Sequence, residues 1–320
     1  YQHNYPHCWR CETPLIYRAV STWFVSVEKL KQQMLSANAQ IHWVPSHLRD
    51  GRFGKWLENA HDWAISRNRY WGCPLPIWRT EDGSETVCVG SVAELEELAG
   101  CQVPDIHKHF VDEIEIAAKD GKHHLRRVPE VLDCWFESGS MPYAQHHYPF
   151  EHKVQVEEHF PADFIAEGLD QTRGWFYTLV VLSAALFDKP PFRNVIVNGL
   201  VLAEDGKKMS KRLKNYPSPM KIMDEYGADA LRLTLLSSPV VRAEDLRFSE
   251  SGVREVMRMV ILPVWNAYSF LVTYARVDQW QPPQGVAAPP ANPQNVLDQW
   301  ILSRLAGTIA DVRAAMDSYE

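Results

Sequence analysis

Cysteine is scarce: six in 320 residues, at 8, 11, 73, 88, 101 and 134. That excludes a disulfide framework and makes a reducing cytosol the expected setting. No uninterrupted apolar run reaches the roughly 18–20 residues of a membrane helix. The longest, Trp175 to Phe187, is broken by Thr178 and Ser183, so no membrane partner is expected. Positive charge is not in excess either. Lys and Arg number 33 against 40 Asp and Glu, a net charge of −7, which excludes a general nucleic-acid coat and leaves only local contacts. An initiating Met and a secretory signal are both missing at Tyr1. The other end, Asp317-Ser318-Tyr319-Glu320, reads as helix, and both ends look cut from something longer. What the chain does have is apolar content, 46% against 23% charged. That is enough for a sizeable core in one large domain or two ordinary ones.

The first 20 residues, with Cys8-Trp9-Arg10-Cys11 and Pro14, read as short turns and strands. Residues 21–80 are rich in Trp, for which core packing is the ordinary explanation. Gly51-Arg52-Phe53-Gly54 opens a helical stretch that carries Trp56, Leu57, Ala60 and Trp63-Ala64 at helical spacing. Residues 80–130 are polar and acidic and read as a small insertion, with a helix starting at Ser91 and Glu94 placed for a capping box. Phe164-Ile165-Ala166 predicts a strand, Asp170 a helix cap, and Phe176, Leu179, Val180, Ser183 and Phe187 one helix face, closed by Pro190-Pro191. This is strand, turn, helix: the local unit of a parallel α/β sheet. Val195-Ile196-Val197 predicts a second buried strand, and Asn198-Gly199 can be a plain hairpin turn into Leu200-Val201-Leu202.

The texture changes at Glu250. Val253, Val256, Met257, Val260, Ile261 and Val264 recur at helical spacing, with Pro263 a kink. Residues 279–295, with Pro282, Pro283, Pro289, Pro290 and Pro293, read as an exposed connection. Val296, Leu297, Trp300, Ile301, Leu305 and Ile309 then mark another amphipathic helix. An α/β region followed by helices predicts two domains, with the boundary near residue 250.

The strongest chemical signal is Asp205-Gly206-Lys207-Lys208-Met209-Ser210-Lys211-Arg212. Five of the eight residues from Lys207 to Lys214 are basic, directly after a predicted strand and a glycine. A basic loop is usually only a solvated loop. Its functional alternative is a mobile clamp on polyphosphate, a task that suits lysine as a flexible point charge. Attack on an α-phosphate calls for charge stabilisation on the departing pyrophosphate.

Lys208-Met209-Ser210-Lys211-Arg212 resembles the Lys-Met-Ser-Lys-Ser signature of the class I aminoacyl-tRNA synthetases. Arg212 stands where the family carries Ser, which keeps a donor but changes its geometry. Asn215-Tyr216-Pro217 resembles the eukaryotic-type branch of the isoleucyl enzymes. Glu167-Gly168-Leu169-Asp170-Gln171-Thr172-Arg173-Gly174-Trp175-Phe176 is similar to the isoleucyl enzymes in particular. By itself Asp170 would be only a cap and Glu167 only an exposed carboxylate. The resemblance implies that Lys208 and Lys211 hold the ATP phosphates as the catalytic pair, alongside Ser210. It implies that Glu167, at the turn with Gly168, takes the α-ammonium of the amino acid, and that Asp170 and Gln171 bond the aminoacyl-adenylate. Through Asp133-Cys134-Trp135-Phe136-Glu137-Ser138-Gly139-Ser140 it implies that Trp135 and Trp175 wall the amino-acid pocket. Two rigid indoles make a slot for a branched aliphatic chain. Such a slot cannot reject a chain shorter by one methylene, so editing is expected in the family, from a domain that would precede Tyr1.

Cys8-x-x-Cys11 alone is weak evidence for metal, since two ordinary thiols account for it and structural zinc takes four ligands. The resemblance implies half of a Cys₄ zinc knuckle, completed by a pair upstream. The other four cysteines are assigned to packing.

The resemblance covers nearly the whole chain and implies the following organisation. Residues 1–250 are the second part of a Rossmann-like α/β catalytic domain. Within it, 1–20 form the exit of the editing insertion, 80–130 a small insertion, and 160–215 the nucleotide-binding half. Residues 251–320 begin an all-α anticodon-binding bundle. The implied activity is ligation of isoleucine to tRNA(Ile) through isoleucyl-adenylate, with ATP and Mg²⁺, Zn²⁺ at the half site, a monomeric parent and a cytoplasmic setting. A His-Ile-Gly-His-type segment is missing, so this chain is expected to be inactive alone. The alternatives are a valyl-tRNA synthetase fragment, against which the Glu167–Phe176 segment speaks, and a non-catalytic tRNA-binding module, which would have no use for Lys208, Lys211 and Glu167.

Overall fold

The computed structural model describes residues 3–8, 11–210, 212–281 and 293–319. Its strands, in chain order, are β1 (Phe24–Val25), β2 (His42–Val44), β3 (Trp63–Ala64), β4 (Ser66–Arg67), β5 (Ile77–Arg79), β6 (Thr86–Cys88) and β7 (Glu115–Ala117). They continue with β8 (His124–Arg127), β9 (Val131–Leu132), β10 (Ala162–Gly168), β11 (Phe192–Asn198), β12 (Val201–Leu202) and β13 (Leu246–Arg247). The helices are α1 (Val27–Ala39), α2 (Gly54–Glu58), α3 (Val92–Ala99), α4 (Lys108–Val111), α5 (Cys134–Ala144) and α6 (Lys153–His159). Then come α7 (Trp175–Phe187), α8 (Pro219–Tyr226), α9 (Ala228–Leu236), α10 (Glu250–Val256), α11 (Leu262–Val277) and α12 (Val296–Ser318). Two compact units result: the first from Tyr1–Ala37, Trp56–Phe160 and Gly174–Pro191, the second from Asn38–Lys55, Pro161–Arg173 and Phe192–Glu320.

In the first unit the 80–130 segment, extended back to Ile77, forms an antiparallel sheet in the order β6-β5-β8-β7. It has its own core of Trp78, Val89, Leu95, Val111, Ile116 and Leu125. Burying one such side chain contributes about 1.5–3 kcal/mol. The buried Arg127 is compensated, as a buried charge must be: its guanidinium donates to Asp112, to the carbonyl of Leu75 at 3.3 Å and to that of Glu130 at 2.9 Å. Helix α3 starts where expected, with the Ser91 hydroxyl accepting from the Glu94 amide at 3.1 Å. The Glu94 carboxylate reaches back to the Gly90 amide at 2.6 Å.

The helix expected through Trp63-Ala64 is a correction. The backbone makes a π-turn at Arg49–Phe53, continues as α2 and stops at Glu58. Trp63 and Ala64 are strand, paired antiparallel with Val25 and Phe24. A partner nearly forty positions upstream overrides a spacing that also fitted a helix.

The second unit is built on a parallel sheet in the order β10-β11-β2. Phe192, Val195 and Val197 of β11 are buried at 1% exposure or less, the last two alternating with the half-buried Ile196 and Asn198. Beside it the Trp43 ring lies 4.8 Å from that of Phe53, and its indole N–H donates to Asn38 at 2.9 Å. The hairpin alternative at Asn198-Gly199 does not occur. Leu200 leads into β12, which pairs in parallel with β13, and a Cβ at position 199 would lie 1.8 Å from the Glu244 carbonyl oxygen. Only glycine permits that close approach.

Asp170 is a second correction. It does not cap α7. Leu169–Arg173 form a 3₁₀ turn, and α7 starts one residue after Gly174.

The helices after Glu250 occur as expected. Tyr226, Ile222, Ala230 and Val253 share one core. A π-turn at Met257–Ile261 precedes Pro263, whose missing N–H disturbs the hydrogen-bond ladder there. Pro282, Pro283, Pro289 and Pro290 lie outside the described residues. Asn295 caps α12 by accepting from the Leu297 amide at 2.8 Å. The continuous helical stretch Glu250–Val277, 28 residues, is long and apolar enough to cross a membrane by length and composition. Counting uninterrupted apolar residues passes over it, because Arg254, Arg258, Asn266, Ser269 and Thr273 punctuate it.

Candidate active site

In the second unit β10 and β11 run parallel, with Glu167 beside Val197 and Gly168 beside Asn198. Both strands therefore end at the same edge of the sheet, the carboxyl edge where open α/β sheets place ligands. The Glu167 side chain is exposed and makes no hydrogen bond or ion pair among the described residues. The turn that follows is held from a distance. Arg52 Nε donates to the Thr172 hydroxyl at 3.0 Å, and that hydroxyl donates to the Leu169 carbonyl at 2.8 Å. Asp170 accepts from the Gln171 side-chain amide at 3.1 Å, and its Oδ1 lies 2.7 Å from where a Cβ on Gly168 would sit. Glu167, Gly168, Asp170 and Gln171 are thus brought together on one strand end and one turn.

The signature loop follows β12. Ala203 donates to the Lys207 carbonyl at 2.9 Å around a turn with Gly206 at φ +79°, a left-handed position that suits glycine. Asp205 accepts from the Lys207 amide at 3.0 Å, which holds its carboxyl below the usual range, and the Lys207 ammonium sits 3.2 Å away. Lys208 is exposed and has no acid partner among the described residues. Lys211 lies outside the described residues. Asn215, which the motif did not single out, spans the loop: its Oδ1 accepts from the Ser210 amide at 2.9 Å, and its Nδ2 donates to the Lys208 carbonyl at 3.1 Å. A side-chain amide that bonds nearby backbone is a common turn device, and this was the available signal.

Trp135 and Trp175 belong to the first unit, on the packed pair α5 and α7. The Trp175 indole N–H donates to the Ser138 carbonyl at 2.9 Å. Gly139 lets the helices approach: a Cβ there would lie 2.9 Å from Leu182 Cδ1 and 3.1 Å from Thr178 Cβ. Helix α5 is positioned by Asp133, a residue not expected to matter. It is 4% exposed and accepts from Arg67 Nη2 at 2.9 Å, from the Trp63 indole at 3.4 Å and from the Trp135 amide at 3.4 Å. Trp135 itself is 41% exposed. This unit also holds a half-open cavity of about 530 Å³ walled by Leu75, Trp78, Val89, Leu95 and Val111, which neither Trp135 nor Trp175 lines.

Cys8 and Cys11 share a knuckle in which the Cys8 amide donates to the Thr13 carbonyl and the Glu12 amide to the Cys8 carbonyl, each at 2.9 Å. The Cys11 sulfur lies 3.0 Å from the Thr13 hydroxyl, and that hydrogen bond brings its thiol down to about 7. A ready thiolate suits a metal ligand. Zinc nevertheless takes four donors, and among the described residues no group of three or more His, Cys, Asp or Glu is placed to hold a metal. The residues present do not make a complete zinc site. The 320-residue chain is therefore expected to lose any zinc to mild chelation, as read by elemental analysis. Stoichiometric, chelator-resistant zinc would instead show His3 or His7 completing the site.

The family model "tRNA synthetases class I (I, L, M and V)" matches residues 10–247. An isoleucine–tRNA ligase of Treponema denticola is 60% identical over 327 aligned residues, and one of Chlamydia pneumoniae is 61% identical over 318. Each alignment covers 99% of this chain, which spans about 30% of the length of these relatives. Among solved structures, a methionyl-tRNA synthetase of Mycobacterium tuberculosis in complex with methionyl-adenylate superposes with a TM-score of 0.64 at 17% identity, covering 98% of this chain and 51% of that one. The LeuRS–tRNA–LeuAMS ternary complex of Agrobacterium radiobacter K84 gives 0.60 at 22% identity, covering 81% and 34%. These structural likenesses establish the fold, an α/β domain followed by helices. With the family model spanning well over half of it, the chain belongs to the class I tRNA synthetases.

Proposed function

We propose that this chain is the adenylate-binding part of an isoleucine–tRNA ligase. The parent reaction joins isoleucine to ATP as isoleucyl-adenylate, releases pyrophosphate, and passes the isoleucyl group to the 3′ end of tRNA(Ile) in the cytoplasm. The observation that carries the reading is Glu167, a carboxylate at the carboxyl edge of the parallel sheet with no partner among the described residues, in a chain about 60% identical to isoleucine–tRNA ligases. Its charge suits the α-ammonium of an amino acid. Gly168, Asp170 and Gln171 offer backbone and side-chain partners to the adenylate. Lys208, Ser210 and Lys211 are assigned to the phosphates, with Mg²⁺ bound to ATP as the further counter-charge. Trp135 and Trp175 are assigned to the amino-acid side chain. No protein nucleophile is called for, because positioning and charge stabilisation suffice for this transfer. A polar amino acid would leave its own groups buried and unpaired between two indoles, at roughly 1–3 kcal/mol each.

The test is amino-acid-dependent pyrophosphate exchange by the full-length protein. Isoleucine supports it best, valine poorly, and threonine and lysine not measurably. Faster exchange with valine than with isoleucine would move the chain to the valyl enzymes. No exchange with any amino acid would favour a tRNA-binding module.

A further inference from the structure

A charged junction in the first unit ties down the start of α5. Arg67 is fixed to backbone: its Nη1 donates to the Ala64 carbonyl at 2.9 Å and to the Ser66 carbonyl at 2.8 Å. Its Nη2 reaches Oδ2 of the buried Asp133 at 2.9 Å. The same oxygen accepts from the Trp63 indole at 3.4 Å, while Oδ1 accepts from the Trp135 amide at 3.4 Å. The Asp133 amide donates in turn to the Ile65 carbonyl at 2.7 Å. Strands β4 and β9, with Arg67 opposite Val131 and Ser66 opposite Leu132, carry the two partners on one ladder. A helix cap needs only one acceptor for a first-turn amide, and Ser or Asn supplies it. Here a second oxygen is engaged by a guanidinium and an indole, which is more than capping requires.

Bonds lead from this junction to both tryptophans. Trp135 is the second residue of α5, and its amide is held by the Asp133 carboxylate. One turn on, the Ser138 hydroxyl donates to the Trp135 carbonyl at 3.2 Å, and the Ser138 carbonyl accepts from the Trp175 indole at 2.9 Å. A shift of the start of α5 therefore moves Trp135 directly and Trp175 through its bond. The width of a slot between two indoles is what decides how closely an aliphatic chain fills it. We infer that Asp133, together with Arg67, is a positioning residue for amino-acid selection: the pair sets the spacing of the two indole walls, and with it the preference for isoleucine over a chain one methylene shorter. The inference rests on the proposed function for the assignment of Trp135 and Trp175 to the amino-acid side chain.

The experiment measures pyrophosphate exchange by the full-length protein, varying isoleucine, valine and ATP in turn, with active sites titrated for every variant. D133N keeps one oxygen for the Trp135 amide and turns an amino group toward Arg67 and Trp63, donors against donors. It is expected to raise KM for isoleucine about tenfold and to leave KM for ATP within about twofold. The isoleucine-over-valine ratio of kcat/KM is expected to fall about fivefold, because a slot of altered width loses contacts to the extra methylene. R67Q breaks the same pair from its more exposed end and is expected to give the same pattern, and the double variant to be no worse than either single one. Should D133N yield no titratable sites, R67Q decides alone. Fewer active sites with KM and the ratio unchanged would mean a fold defect only and would overturn the inference. So would equal rises in KM for isoleucine and ATP, or fully additive effects in the double variant. Faster exchange with valine than with isoleucine by the parent would count against the isoleucine-ligase reading instead, and leaves the comparison of amino-acid and ATP KM readable.

Discussion

Lys211→Ala in the full-length protein is expected to lower isoleucine-dependent pyrophosphate exchange by about 10²-fold or more, with a smaller effect on tRNA binding. One preorganised charge meeting the departing pyrophosphate contributes roughly 3 kcal/mol to a transition state, which sets the size of the loss. Lys208 sets the expectation for the rest of the loop. Its ammonium is exposed and unpaired among the described residues, while its carbonyl is held by Asn215. The loop is thus fixed through backbone and leaves the Lys208 charge without an acid partner among the described residues. Asn215→Ala removes the two bonds at 2.9 and 3.1 Å that close the loop. Such bonds carry about 0.5–1.5 kcal/mol net each, so about a tenfold loss follows from poorer positioning with every lysine intact. An exchange rate for Lys211→Ala within about threefold of the parent would remove Lys211 from the mechanism.

The parallel sheet was legible because its strands are short apolar runs bounded by glycine and proline, as at Phe164–Ala166 and Val195–Val197. Glu167, Gly168, Asp170 and Gln171 lie on one strand end and one turn because they are neighbours in sequence. Three misses share one cause, a partner far along the chain. Asp170 has the residue type of a cap, but Arg52 holds Thr172 from 120 positions away and the turn closes as 3₁₀ instead. Trp63 has helical spacing, but Val25 pairs with it. The buried Asp133 tethers the start of α5 to Arg67 and Trp63, and nothing in its neighbourhood of sequence distinguishes it from an ordinary helix cap. The lysine loop stood out as a run of like charge, whereas Asn215, which closes it, acts only through backbone bonds that a charge pattern does not show.

Glu167→Gln keeps the size of the side chain and removes the charge proposed to meet the substrate ammonium. In the full-length protein it is expected to weaken isoleucine and a non-hydrolysable isoleucyl-adenylate analogue together, each by about 10²-fold, the scale of a lost charge-assisted hydrogen bond of roughly 1.5–3 kcal/mol. ATP affinity should change little, because the phosphates are assigned to Lys208 and Lys211, beyond the second strand. The two ligands must move together if Glu167 holds the ammonium, since both carry it. A group that acted on the adenylate alone would move only the analogue. Glu167 is well placed to act this way, because it faces solvent at the strand end and has no intramolecular partner among the described residues to release. The substitution therefore leaves no buried group unpaired, and its cost falls on binding with folding unaffected. Calorimetry decides it: equal affinity of Glu167→Gln and the parent for the isoleucyl analogue, or tighter binding of a valyl analogue by the parent, would end the assignment of isoleucine to this site.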